Sequence, residues 1–256
     1  MSDELEREFA REIMKRYGIQ LTDIPTKDTQ TPDFECILGS DRYTIELKKK
    51  EDDSNETAKF IEEFKKGGIV QEIAVIEPRP RLNRIIKDGV RQISAHDPEK
   101  SSYSLVWMHC AGRQPDVHYA KSLSTILGRE SLSSLNRKHW MWCYYFRDST
   151  FFRLKGRLDA VILTTLISDK ATFLLCVNSH SPRYLDFKQS EICKRLPAKA
   201  LLDPIDEEKI GHLIADCALD RNDEGAVLMY LQTKYNLDHL QTIPMNHYSG
   251  TQKIPK

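Results

Sequence analysis

The chain has 256 residues, of which 40% are hydrophobic, 9% aromatic and 30% charged. These values exclude a disordered or low-complexity chain, and at roughly 100–200 residues per domain they indicate one globular domain with a small appendage. Lysine plus arginine equals aspartate plus glutamate at 38 each, so the overall charge does not indicate a dedicated nucleic-acid-binding protein. A role on nucleic acid must therefore be argued from a local site.

The sequence carries no sign of export or membrane insertion. No apolar run approaches the ~18 residues of a membrane span, and the acidic first residues lack the basic and apolar regions of a signal peptide. We therefore expect a cytoplasmic protein that does not contact a membrane. The cysteines show no metal-site spacing and are expected to be buried, reduced thiols. They are Cys36, Cys110, Cys143, Cys176, Cys193 and Cys217.

The first predicted elements are a helix, a loop and a β-hairpin. Between residues 2 and 17 an apolar residue recurs at every fourth position, which predicts a helix with one apolar stripe. The stripe consists of Leu5, Phe9, Ile13 and Tyr17. Residues 22–32 are polar and rich in turn formers, so they predict a loop. The hairpin has arms at 33–38 and 41–50 around Gly39-Ser40, and its second arm alternates apolar and polar residues.

Helices and strands alternate over the rest of the chain, with mixed, partly helical sequence at 114–139. The predicted helices are 55–66, 82–95, 204–219 and 223–235. The predicted strands are 69–76, 103–110, and a second hairpin of 160–167 and 171–177. This order predicts an α/β fold with a mixed sheet flanked by helices, an extra hairpin and C-terminal helices. We expect a main domain at residues 1–200 and a small helical extension at 201–256.

The first hairpin is expected to bring three charged side chains together. A two-residue loop pairs residue 38 with residue 41, and counting outward places Asp33 opposite Glu46, about 5 Å apart at Cβ. Lys48 lies two residues further along and shares that face. Two carboxylates so close repel each other unless a cation lies between them, and their hard oxygens suit Mg²⁺ or Mn²⁺. A lysine beside such a metal can orient water or stabilise the charge that builds on a phosphoryl group.

Pro32-Asp33 followed by Glu46-Leu47-Lys48 resembles the signature of the PD-(D/E)XK, or restriction-endonuclease-like, nuclease superfamily. The core of that family runs helix, three-stranded meander, helix, strand. This order is similar to the one predicted for residues 1–110, with the helix at 55–66 as an insertion. The resemblance implies that Asp33 and Glu46 bind the metal and that Lys48 is the catalytic lysine.

The resemblance also points to the first helix, from which many members add a catalytic glutamate. Glu8 is the best match and Glu12, one turn later, is the alternative. A surface helix carries many glutamates, so an exposed position without a role explains Glu8 equally well. For Glu46 and Lys48 the competing interpretation is the solvated face of an edge strand.

The function implied by the resemblance is a Mg²⁺-dependent endonuclease that acts on DNA, with Mn²⁺ as a possible substitute and RNA as an open alternative. The alternative function is a catalytically inactive module of the same fold that binds nucleic acid or protein, and a homodimer is compatible with either.

Basic residues around the helix at 82–95 are expected to contact phosphates, with a solvated helix face as the competing interpretation. They are Arg79, Arg81, Arg84, Lys87 and Arg91. The aromatic segment 140–146 either stacks on bases or is buried, and burial is favoured.

Overall fold

The computed structural model describes residues 3–25, 31–66, 70–168, 170–243 and 247–252. Its helices are α1 (Asp3–Lys15), α2 (Ser54–Lys65), α3 (Pro80–His96), α4 (Pro115–Leu127), α5 (Thr150–Arg153), α6 (Tyr184–Lys188), α7 (Glu191–Arg195), α8 (Pro204–Lys209) and α9 (Glu224–Tyr235). Its strands are β1 (Thr22–Asp23), β2 (Phe34–Leu38), β3 (Asp41–Lys50), β4 (Val70–Val75), β5 (Tyr103–Cys110), β6 (Glu130–Ser133), β7 (Met141–Tyr144), β8 (Ala160–Ile167), β9 (Lys170–Val177), β10 (Leu201–Leu202), β11 (Leu213–Ile214), β12 (Gln241–Thr242) and β13 (His247–Gln252). The helices predicted at 55–66, 82–95 and 223–235 are confirmed as α2, α3 and α9.

The main sheet contains seven strands in the order β1-β2-β3-β5-β8-β9-β10. Strands β1, β2 and β3 pair antiparallel, whereas β3, β5 and β8 pair parallel. The second predicted hairpin is confirmed, because β8 and β9 pair antiparallel along their whole length. The protein therefore has the expected α/β architecture with a mixed sheet.

The strand predicted at 69–76 does not belong to the main sheet. Its described part, β4, pairs with β13 in a separate two-stranded sheet. The edge of β3 is taken instead by β5, which is buried from Ser104 to Cys110, as expected for an apolar strand packed on both faces. The third antiparallel strand is β1, which lies within the loop predicted at 22–32, of which residues 26–30 are outside the described residues. Its two residues are exposed and pair through backbone groups, so no side-chain pattern indicated it.

Helix α1 covers one face of the main sheet, and α3 and α4 cover the other. The core under α1 includes Ile13, Phe34, Ile45 and Trp107. The core under α3 and α4 includes Ile86, Val90, Val106 and Met108. The predicted stripe of α1 is only partly confirmed, because Leu5 is 55% exposed whereas Ala10 and Met14 are buried. Helix α3 thus lies over the hairpin face that carries the charged side chains.

Helix α3 approaches β3 closely at Gly89. A Cβ atom at this position would lie 3.2 Å from Val106 Cγ2 and 3.3 Å from Glu46 Cγ. We expect Gly89→Val to lower the free energy of unfolding by about 1–3 kcal/mol, because the added carbons overpack the space between helix and sheet. Urea denaturation measures the change. Gly225→Val in α9 is the matched control, since a Cβ there meets only Asp223 Oδ1 at 3.7 Å, and equal losses in both variants would contradict close packing at Gly89.

A four-stranded sheet, β11-β7-β6-β12, forms a third core with α9. Most of the aromatic segment 140–146 is buried, as favoured, although Trp140 is 43% exposed. The helix predicted at 204–219 is wrong beyond Lys209, where α8 ends. Gly211 then adopts a φ of 104°, a left-handed conformation that ends helices, and β11 follows. The division at residue 200 stays a prediction, and the segment after it contributes strands as well as helices.

The cysteines agree with the expectation of buried, unpaired thiols. All six cysteines are free, and five of them are buried while Cys217 is half-buried. None of the helices within the described ranges has the length and apolar character needed to cross a membrane.

Candidate active site

The hairpin of β2 and β3 has the predicted register. Residue Leu38 pairs with Asp41 and Phe34 pairs with Ile45, while Gly39 in the loop has a φ of 60°, which glycine adopts without strain. Asp33 directly precedes β2, and its charge acts on Glu46, the residue that follows the last position of β3 paired with β2. The Leu47 N–H group donates a hydrogen bond of 2.8 Å to Asp33 Oδ2, which orients this carboxylate toward β3.

Glu46 is a buried carboxyl group at the centre of the site. Its residue is 2% exposed, and α3 lies over it at Gly89. Glu46 Oε1 accepts a hydrogen bond of 2.5 Å from Lys48 Nζ, whereas Oε2 has no hydrogen-bond partner among the described residues. Burial, and next the charge of Asp33, raise the pKa of Glu46 to about 7, although Lys48 opposes this shift. The competing interpretation of Glu46 as part of a solvated edge is therefore wrong.

Lys48 joins the hairpin to α3. Its Nζ atom donates one hydrogen bond to Glu46 Oε1 and another of 2.5 Å to Gln92 Oε1. Gln92 is not among the site residues that the sequence predicts. In the sequence, Gln92 is a polar residue beside the apolar stripe of an amphipathic helix. This position indicates a site residue only once α3 is known to cover this face of the hairpin.

A second missed residue is Arg7 of α1. Its guanidinium group donates hydrogen bonds to Asp33 Oδ1 and, at 2.9 Å, to Asp23 Oδ1. Arg11 donates to both oxygens of Asp23 at 2.9 Å, and its other Nη atom donates to Glu8 Oε2 at 2.9 Å. Alternating charges thus connect α1 and β1 to the Asp33 side of the site.

The structure brings Asp33, Glu46 and Lys48 together but leaves Glu8 outside their contacts. The Glu8 side chain is 58% exposed and is ion-paired with Arg11. Glu12, the alternative, is 54% exposed and lies 3.6 Å from Lys15. The buried glutamate of α1 is Glu6, which lies 2.6 Å from Lys49 Nζ. Because neighbouring residues of a strand face opposite sides of the sheet, Lys49 and Glu6 lie on the face opposite Lys48.

The five basic residues predicted to contact phosphates differ in their partners. Arg79 pairs with Glu77 at 3.3 Å, Arg81 with Asp53 at 3.1 Å, and Arg91 with Asp88 at 3.3 Å. Arg84 and Lys87, both exposed on α3, form no hydrogen bond or ion pair with any residue in the described ranges. Of the five, these two side chains are therefore the ones without a directly bonded acidic partner among the described residues.

Asp33 and Glu46 are the residues of the site that could hold a divalent cation. They form a pair, and the described part of the chain contains no group of three or more His, Cys, Asp or Glu side chains arranged around a metal position. The unpartnered oxygen of Glu46 fits a cation, because a buried oxygen of this kind is stabilised by a metal or a hydrogen-bond donor. Comparison with models of protein families, with curated proteins and with solved structures finds no match to this chain.

Proposed function

We propose that this protein is a metal-dependent nuclease that hydrolyses phosphodiester bonds of nucleic acid, with DNA as the substrate. The observation that carries the proposal is the buried Glu46 carboxyl group, which lies beside Asp33, is bonded to Lys48 and keeps one oxygen without a partner. Burying a carboxylate is unfavourable unless it is paired or coordinates a metal. Asp33 and Glu46 would bind Mg²⁺ or Mn²⁺ through the hard oxygen ligands that these ions prefer.

The order of elements supports the same proposal. Helix α1, the antiparallel strands β1, β2 and β3, helix α3 and strand β5 follow one another, with α2 and β4 inserted between β3 and α3. This order resembles the helix, three-stranded meander, helix and strand of the PD-(D/E)XK superfamily. The member of the meander that precedes the hairpin is β1, and not the strand predicted at 69–76.

The residues of the site have separate tasks in this proposal. A bound divalent cation would polarise the phosphoryl oxygen and lower the pKa of water. The ammonium group of Lys48 stabilises the negative charge that develops on the phosphate and orients the attacking water. Gln92 positions Lys48 through the 2.5 Å hydrogen bond, and the Leu47 N–H group with Arg7 orients Asp33.

A binding module without catalysis is the second candidate function, and one specific observation favours it. The Arg7 guanidinium group already bonds Asp33 Oδ1, so one carboxylate of the pair has a cationic partner from the protein itself. If this ion pair is permanent, the Arg7 guanidinium group competes with a metal ion for the Asp33 carboxylate. A module of this kind binds its partner with neither Mg²⁺ affinity nor cleavage.

We expect Asp33→Asn to reduce cleavage by at least about 100-fold and to weaken Mn²⁺ binding, because an amide is a poorer ligand for a hard cation than a carboxylate. The parent protein and the variant are incubated with supercoiled, linear and single-stranded DNA and with RNA, each with Mg²⁺, with Mn²⁺ or with a chelator. Cleavage by the parent protein that requires the cation supports the nuclease, and the best substrate defines its class.

Asp23→Asn is the matched control, since Asp23 bonds the same Arg7 but is 47% exposed and lies outside the carboxylate pair. It should cleave at close to the parent rate. A parent protein that cleaves none of the four substrates and binds no Mn²⁺ overturns the nuclease proposal in favour of the binding module. An Asp33→Asn variant as active as the parent overturns the assignment of the site.

A further inference from the structure

A basic cleft of about 310 Å³ lies between the first half of α3 and the end of α5. Its lining residues come from these two neighbouring segments. They are Pro80, Asn83, Arg84, Lys87, Arg153 and Leu154. Three of the six are basic and none is acidic, so the charged groups of the lining are all cationic.

The charges of this cleft are only partly compensated. Arg153 bonds the carboxylate of Asp148, which does not line the cleft. Arg84 and Lys87 have no hydrogen-bond or ion-pair partner in the part of the chain that the structure describes. They are three positions apart on one helix, where like charges repel each other. An anion in the cleft would relieve this repulsion, and it would meet no carboxylate from the lining.

The walls of the cleft are held in place by hydrogen bonds and by one buried side chain. Thr150 Oγ1 donates a hydrogen bond of 2.7 Å to Asn83 Oδ1, which ties α5 to α3. The first turn of α5 is fixed by Ser149, whose side chain accepts a hydrogen bond from Phe152 N, and by the fully buried Phe151. Arg84, Lys87 and Arg153 therefore line a preformed cleft.

Helix α3 connects this cleft to the candidate active site. Gln92, which bonds Lys48, follows Lys87 by five positions, and this is about 7.5 Å along a helix axis at roughly 1.5 Å per residue. The two residues lie on different sides of α3. A nucleic-acid strand that contacts both residues would cross the solvent-facing side of α3, where Arg84 and Arg91 are exposed.

We propose that the cleft binds the phosphodiester backbone of the nucleic acid whose cleavage is proposed for the active site. Arg84 and Lys87 contact phosphates, and Arg153 lines the opposite wall. Such contacts position the nucleic acid without reading its sequence. The identity of the ligand rests on the proposed function, whereas the binding itself is measured independently of cleavage.

The test is the salt dependence of binding to a labelled DNA duplex in the presence of a chelator, for the parent protein and for the double variant Arg84→Gln/Lys87→Gln. Each lost phosphate contact lowers the slope of log affinity against log salt by about 0.9 on duplex DNA, so the double variant should lose about 2 units of slope. The affinity loss should be equal for unrelated base sequences, because only the backbone is contacted.

Arg137→Gln/Lys138→Gln is the matched control, since both residues are exposed, lie between β6 and β7, and remove the same charge. It should retain the parent slope. An unchanged slope in the Arg84/Lys87 variant, an equal change in the control, or a parent protein that does not bind DNA overturns the inference. Binding of inorganic phosphate that depends on Arg84 and Lys87, with DNA binding unchanged in the double variant, would also overturn it, since it would assign the cleft to a free phosphate.

The two proposals fail in different ways. Binding that depends on Arg84 and Lys87 in a protein that cleaves nothing upholds the cleft and overturns the nuclease. Cation-dependent cleavage, with a slope of log affinity against log salt that does not change in the Arg84/Lys87 variant, upholds the nuclease and overturns the cleft.

Discussion

Lys48→Met is expected to lower the rate of DNA cleavage by roughly 100- to 10,000-fold without loss of divalent-cation binding. Two hydrogen bonds of 2.5 Å, to Glu46 Oε1 and Gln92 Oε1, hold the ammonium group of Lys48 beside the carboxylates. A charge fixed in this place stabilises the negative charge that develops on the phosphate, whereas methionine keeps the length of the side chain without the charge. Initial rates of plasmid nicking at saturating Mg²⁺ measure the effect.

The same variant separates two roles of Lys48. If Lys48 only neutralises Glu46, its loss should tighten binding of the cation, and cleavage should recover as Mg²⁺ is raised. If Lys48 takes part in the reaction, cleavage stays low at every Mg²⁺ concentration while Mn²⁺ titration shows an intact site. Lys199→Met is the control, because Lys199 is exposed and precedes β10 in the chain. Parent-level cleavage by Lys48→Met would refute the catalytic assignment.

The carboxylate pair could be predicted because the hairpin is built from local signals. The glycine of the loop takes a positive φ, and the alternation of β3 sets which side chains share a face. A register shifted by one residue would have placed Glu46 on the side of Ile45, in the core under α1. The sequence therefore predicts the relation of Asp33, Glu46 and Lys48 without any knowledge of the rest of the fold.

The helix contacts of the site could not be predicted in the same way. Gln92 is 44 positions from Lys48 and Arg7 is 26 positions from Asp33, and both contacts depend on how a helix is oriented on the sheet. The same orientation decides which glutamate of α1 is buried, and it selects Glu6 and leaves Glu8 in solvent. A helical period predicts that one face is buried, but a rotation by one residue changes its members, as the exposure of Leu5 demonstrates.

Glu46→Gln is expected to stabilise the protein in a chelator at pH 8 by about 3 kcal/mol. The pKa of Glu46 is raised from 4.5 to about 7 by burial and by the charge of Asp33, and each unit corresponds to about 1.36 kcal/mol. Because the pKa is raised in the folded state, the contribution to stability is fully present below pH 4.5. It is lost as the pH rises to about 7, since the unfolded chain ionises first. Glutamine cannot ionise, so the free energy of unfolding of the variant does not fall in this pH range.

Urea unfolding of the parent and the variant at pH 5 and at pH 8 measures the prediction, with the exposed Glu35→Gln of β2 as the control. The difference between Glu46→Gln and the parent should be small at pH 5 and grow toward pH 8, whereas Glu35→Gln should follow the parent. Adding Mn²⁺ at pH 8 should stabilise the parent, by about 2.7 kcal/mol at 100 times the dissociation constant, but not Glu46→Gln. Equal pH dependence in parent and variant would mean that Glu46 is not held as a destabilised carboxyl group. In that case Glu46 would form an ordinary buried ion pair with Lys48. The electrostatic repulsion between Glu46 and Asp33 that favours a cation would be absent.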